Sequence, residues 1–203
     1  MPVAVVTGSN KGIGLAIVRS LCQKFQGDVY LTSRDETRGR EAIETLRGEG
    51  LEPCYHHLDI SKEETVVRLR DFMVEKYGGI DVLVNNVGIA FMDYNTHGFG
   101  TQAKLTLKTN YWDTKAACEL LFPVLRAGAR VVNMSSALGH LPKLVEGVRR
   151  PDGAPGIQPG DKARAEALTA SLASPDLTFH QLDSLMKDFE DSAAAGDYEA
   201  HGW

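Results

Sequence analysis

Eight residues near the N-terminus, Thr7-Gly8-Ser9-Asn10-Lys11-Gly12-Ile13-Gly14, separate an unbroken apolar run from a helical pattern. The run, Pro2 to Thr7, suits a strand buried on both faces of a parallel sheet. Beyond the turn, Ile13, Ala16, Ile17, Leu21 and Phe25 recur at helical spacing. Glycine at 8, 12 and 14 lets the backbone turn sharply and approach a pyrophosphate, while the first helical turn offers unpaired N–H groups and the positive end of a dipole. A strand before and a helix after are the context a dinucleotide cradle demands, and they distinguish this turn from an ordinary glycine-rich connection.

The alternation continues along the chain. Val29 to Thr32 reads as a second strand, Thr37 to Gly48 as a helix closed by glycine, and Tyr55 to Leu58 as a third strand. Ser61, with Glu64 three residues later, predicts a capping box opening a helix that runs to Tyr77. Ile80 to Val84 is a fourth strand, Lys104 to Leu125 a long helix, and Arg130 to Met134 a fifth strand. Five strands alternating with helices imply right-handed βαβ crossovers and an α/β fold, a parallel sheet with helices on both faces. A Rossmann-type doubly wound sheet in the order 3-2-1-4-5 is expected. At 203 residues the chain is expected to be one domain, with residues 1–138 binding the dinucleotide and 139–203 forming a loop and helical insertion. Residues 147–160, with three prolines and four glycines, read as a loop. Asp161 to Ala173 and Asp183 to Ala195 read as two polar helices.

Composition narrows the partners. The net charge of −5, from 22 Lys and Arg against 27 Asp and Glu, and the lack of a long basic run argue against nucleic acid and membrane surfaces. No run of about 18 apolar residues occurs, and Met1 leads into a strand without a cleavable leader, so a cytoplasmic protein is expected. Cys22, Cys54 and Cys118 are odd in number and lack C-x-x-C spacing. His56 and His57 alternate across a strand and the other histidines are scattered, so no metal is expected.

Where an NAD-preferring site would place a carboxylate after the second strand, Arg34 stands instead. Its guanidinium can fork onto a 2′-phosphate, and Lys11 in the glycine turn supplies a second charge, which favours NADP(H). Pairing of Arg34 with Asp35 is the competing reading.

These residues, with Asp59, Asn85-Asn86-Val87-Gly88, Asn110 and Asn133-Met134-Ser135-Ser136 in that order, resemble the short-chain dehydrogenase/reductase family. Asn10 to Arg19, Asp81 to Asn86 and Gly88 to Phe91 are similar to the monomeric NADPH-dependent carbonyl reductases of animals, as is the tail from Leu185 to Trp203. The resemblance implies reduction of ketones, aldehydes or quinones and a monomer. It implies that the turn residues Gly8, Ser9, Asn10, Lys11, Gly12, Ile13 and Gly14 hold the pyrophosphate, Asp59 and Ile60 the adenine, and Asn86 the adenosine ribose, with Gly88 also binding the cofactor. Asn110 would hold a helix irregularity and a water of a proton relay, and Ser136 would donate to the substrate carbonyl. Each has a plainer alternative: Asp59 beside a helix start, Asn85-Asn86 a turn, Ser136 a cap, Asn110 an exposed helix residue.

The sequence departs from the family in two places. The family's acid is a Tyr-x-x-x-Lys after the serine strand, but the tyrosine after Ser136 is Tyr198, with Gly202 four residues on. Tyr111-Trp112-Asp113-Thr114-Lys115 matches literally yet precedes Ser136 and is set aside. The expectation is a chain ending before the acid, with little or no turnover, an exposed fifth strand and a tendency to aggregate. A non-catalytic NADP(H)-binding or partner-binding form is the alternative. Val87 replaces the family's alanine and is expected to crowd the cofactor by about 1–3 kcal/mol.

Overall fold

The structure is a computed structural model, which describes residues 1–91, 97–147 and 161–203. The described chain forms two compact units, Met1–Ile89 with Lys108–Met134, and Ala90–Leu107 with Ser135–Trp203.

The first unit holds the sheet. Its strands are β1 (Val3–Val6), β2 (Asp28–Ser33), β3 (Cys54–His57), β4 (Ile80–Asn85) and β5 (Leu125–Asn133), all parallel and ordered 3-2-1-4-5. Successive side chains of β1 alternate between two cores because a strand's side-chain period is two. Val3 and Val5 pack with Leu69 and Met73 of α3 (Glu63–Tyr77) and Leu121 of α5 (Thr114–Leu121). Ala4 and Val6 pack with Val18 of α1 (Gly12–Lys24) and with Ala42, Ile43 and Leu46 of α2 (Glu36–Gly48). With both faces covered, β1 needs no polar alternation, and all four of its residues are fully buried. β5 is the sheet edge, where Val131, Val132 and Met134 following it are each at least 36% exposed.

Three local expectations are corrected. The capping box at Ser61 does not form: the Ser61 hydroxyl donates to Asp59 (2.7 Å), and Lys62 occupies the N-cap position of α3 without a side-chain cap. The helix starts one residue later than a box of Ser61 and Glu64 requires, so Ser61 lies outside the cap position. The helix expected from Lys104 to Leu125 is a composite of α4 (Phe99–Leu107), a π-turn (Lys108–Asp113), α5 and a short 3₁₀ turn (Phe122–Val124). β5 starts at Leu125, five residues before the expected Arg130, with an irregular register between Ile80 and Val82 of its partner.

In the second unit α4 packs against α8 (Phe179–Ala195), and Phe99 meets Phe189 and Tyr198 at ring-centroid distances of 6.3 and 4.5 Å. α6 (Pro142–Glu146) packs on α7 (Lys162–Leu172), whose N-cap Asp161 accepts from the Arg164 amide. α8 starts four residues before the expected Asp183, at a capping box of Thr178 and Gln181. The loop expected at 147–160 lies, from residue 148 on, outside the described residues.

Candidate cofactor site

Interlocked backbone shapes the turn after β1. Gly8 and Gly12 adopt φ of +59° and +56°, in the left-handed region that side chains avoid. Gly14 is required by space: a Cβ there would lie 2.7 Å from Ser9 Cα and 2.8 Å from the Gly8 carbonyl oxygen. Asn86 clamps the turn from β4, its Nδ2 donating to the carbonyls of Thr7 (2.9 Å) and Gly8 (3.0 Å). The Thr7 hydroxyl oxygen in return accepts from the amides of Asn86 and Val87. The N-cap residue of α1, Lys11, is extended and supplies no side-chain cap, so the first N–H groups of the helix stay available to an anion.

A cavity of about 570 Å³ opens over this turn, the size of a ligand pocket. Gly8, Asn10, Lys11, Gly12, Ile13 and Gly14 form its floor, and Arg34, Asp59, Ile60, Asn86 and Gly88 are also among its lining residues. Ser9 works behind the turn: it is fully buried, its hydroxyl donating to Val6 O (2.7 Å) and accepting from the Thr32 amide (3.0 Å).

Asp35, the competing partner of Arg34, caps α2 through the Arg38 amide (3.0 Å) and pairs with the Arg38 guanidinium. Within the described residues neither Lys11 nor Arg34 has a salt bridge or side-chain hydrogen bond, and both are exposed on the groove. Burial works against charge on Asp59, but hydrogen bonds from the hydroxyl and amide of Ser61, with the cations Lys62 and Arg34, hold its pKa below the ordinary carboxylate value. Only Oδ1 is engaged by Ser61, so Oδ2 keeps its acceptor capacity.

Asn110 sits inside the π-turn. Its carboxamide brackets one residue of the β4 exit, Oδ1 accepting from the Ile89 amide (2.8 Å) and Nδ2 donating to the Ile89 carbonyl (2.9 Å). Ser136 belongs to the second unit, where its hydroxyl accepts from Leu138 N–H (3.1 Å) and caps a 3₁₀ turn. Val87 lines the cavity and also packs on the α3 core, its Cγ2 2.8 Å from where a Cβ on Gly8 would be. Tyr111 stacks edge-on against Trp112, and Lys115 pairs with Glu119 (3.7 Å). Lys108, Thr109 and Asp113 also line the groove, though sequence periodicity gave no sign of them. The one available signal was the i, i+5 spacing of opposite charges at 108 and 113.

A family model described as short chain dehydrogenase matches residues 2–148. Rat carbonyl reductase (NADPH) 1 is 43% identical over 202 residues, covering 100% of this chain and 66% of the relative. Mouse carbonyl reductase (NADPH) 3 is 44% identical over 201 residues, covering 99% of the chain and 66% of the relative. The chain thus spans about two thirds of the length of these curated relatives. Among solved structures, the menthone neomenthol reductase of Mentha piperita superposes with a TM-score of 0.79 at 28% identity, covering 100% of this chain and 77% of that one.

Proposed function

Because this chain belongs to the short-chain dehydrogenase/reductase family, we propose that its groove binds NADP(H) and serves the reduction of a small-molecule ketone, aldehyde or quinone to an alcohol. The observation that carries this is the pair of cations, Lys11 and Arg34, which among the described residues have no salt bridge and line the groove, while Asp35 is diverted to a helix cap. The names of the curated relatives, which couple NADPH to carbonyl reduction, support it.

The glycine turn and the uncapped start of α1 would hold the pyrophosphate, and Lys11 and Arg34 the 2′-phosphate. Asp59 Oδ2 would accept from the adenine amino group beside Ile60, with Asn86 under the adenosine ribose and Gly88 also lining the cofactor's path. When bound, NADPH supplies the hydride that reduces the carbonyl carbon. Ser136 is assigned to donate to the substrate oxygen, which polarises the carbonyl as charge develops. Asn110 is assigned to fix the strand exit at Ile89. Since no Tyr-x-x-x-Lys follows Ser136 in these 203 residues, the polypeptide is expected to bind cofactor and turn over little.

We further take the protein as monomeric and cytoplasmic. The thiols of Cys22, Cys54 and Cys118 are free, and burial pushes the pKa of each up, as suits inert thiols in a reducing compartment. No helix among the described residues is long and apolar enough to cross a membrane.

Titration with NADPH, followed by its fluorescence and then by addition of a simple quinone, tests the assignment. Saturable binding with consumption near the uncatalysed rate is expected. No saturable binding overturns the cofactor site, and rapid consumption overturns the missing acid.

A further inference from the structure

Lys108 and Asp113 meet across the π-turn, Lys108 Nζ lying 2.9 Å from Asp113 Oδ1 and 2.8 Å from Oδ2. In an α-helix, residues five apart point about 140° away from each other and cannot pair this way. A π-turn, closed by i→i+5 bonds, brings them to one side. The ion pair is therefore compatible with one helical geometry and not the other. A second device has the same spacing: the Thr114 hydroxyl donates to the Thr109 carbonyl, five residues back (3.0 Å).

We propose that the Lys108–Asp113 pair, helped by Thr114, is a clasp that selects the π-turn over a continuous α-helix and thereby positions Asn110 on Ile89 at the wall of the groove. Reversion to α-helix would remove the extra residue from the turn and so rotate Asn110 relative to α5. Asn110 would then lose both hydrogen bonds to Ile89 and the strand exit would be released. The clasp is built to resist solvent on one side: the Asp113 side chain is 15% exposed, against 53% for Lys108. Salt screens such a half-sheltered pair less than an open surface pair. Both residues line the groove, so a shift in the turn alters its wall directly. Lys108 and Asp113 are positioning residues, and their link to cofactor affinity rests on the reading of the groove as an NADP(H) site.

The test compares the wild-type chain with Lys108→Met, Asp113→Asn and the charge-swapped double variant Lys108→Asp/Asp113→Lys. Three quantities are read: hydrogen exchange of the Ile89 amide, the Kd for NADPH, and Tm. Either single variant is expected to speed Ile89 exchange about tenfold, because local opening is governed by the lost clasp. The same variants are expected to weaken NADPH about fivefold, the worth of one orienting hydrogen bond, and the swap is expected to recover both. Unchanged Ile89 exchange in both single variants overturns the clasp, as does a fall in Tm with exchange and Kd unmoved. Wild-type protein that fails to bind NADPH overturns the cofactor site alone, because Ile89 exchange still reads the clasp.

Discussion

A Cβ placed on Gly14 would stand 2.5 Å from Asn86 Nδ2, so the first helix and the exit of β4 are packed together through a hydrogen atom. Its other near neighbours are backbone, Ser9 Cα and the Gly8 carbonyl, which cannot swing aside. Gly14→Ala is expected to cost about 1–3 kcal/mol of stability through overpacking. Cofactor affinity should fall with it, because the displaced element is the floor of the groove. Chemical denaturation beside a binding titration checks both, and a variant of wild-type stability and affinity contradicts the interlock.

Val87 tests the opposite side of the same turn. Its Cγ2 lies against Gly8 and its side chain packs on the α3 core, so Val87→Ala opens a gap in the support of the turn. A loss of about 1–2 kcal/mol is expected from the two deleted methyl groups. A gain in NADPH affinity at unchanged stability would instead show that valine crowds the cofactor.

Asp59 carries a pH signature. Its pKa is lowered in the folded state, so its contribution to stability is complete above the unfolded value of about 3.9 and is lost as pH falls through the folded value. Ser61→Ala removes the hydroxyl donor and should bring the Asp59 titration, followed by NMR, back toward the ordinary range. An unmoved titration contradicts the assigned cause.

A buried phenol at the far end of β2 gives the alkaline counterpart. Tyr77 donates to Asp28 and lies 2.9 Å from the Tyr30 hydroxyl, while Lys76 donates to Tyr30 (3.0 Å). Burial, then the hydrogen bonds to Asp28 and Tyr30, push the Tyr77 pKa well up. A raised folded pKa stabilises fully below the unfolded value, about 10, and its contribution is lost as pH rises above it. Tyr77→Phe is expected to cost about 1–3 kcal/mol at neutral pH. It should also flatten the decline between pH 9 and 11 in denaturation experiments, and an identical pH profile in the variant contradicts the role.

The five strands and the glycine turn were legible because each rests on local, short-range rules: apolar runs and turn glycines. Asp35 was undecidable from sequence, since capping α2 and pairing with Arg34 use the same carboxylate. The π-turn was hidden from periodicity because Leu107, Ala117 and Leu121 keep the burial of a helix on either side of it. Only the family resemblance points Asn110 to a helix irregularity. The capping box at Ser61 failed because a pattern of residue types does not fix the helix start to one residue, and the chain places Lys62 at the N-cap instead.

Calorimetric titration of the 203-residue chain with NADPH and, separately, with NADH tests the central claim most directly. One charge-assisted contact to the 2′-phosphate is worth about 1.5–3 kcal/mol, so NADPH is expected to bind at least about tenfold more tightly, with the preference lost in the Lys11→Ala/Arg34→Ala double variant. Equal affinities for the two cofactors, or a preference that survives removal of both cations, would contradict a 2′-phosphate site built from Lys11 and Arg34.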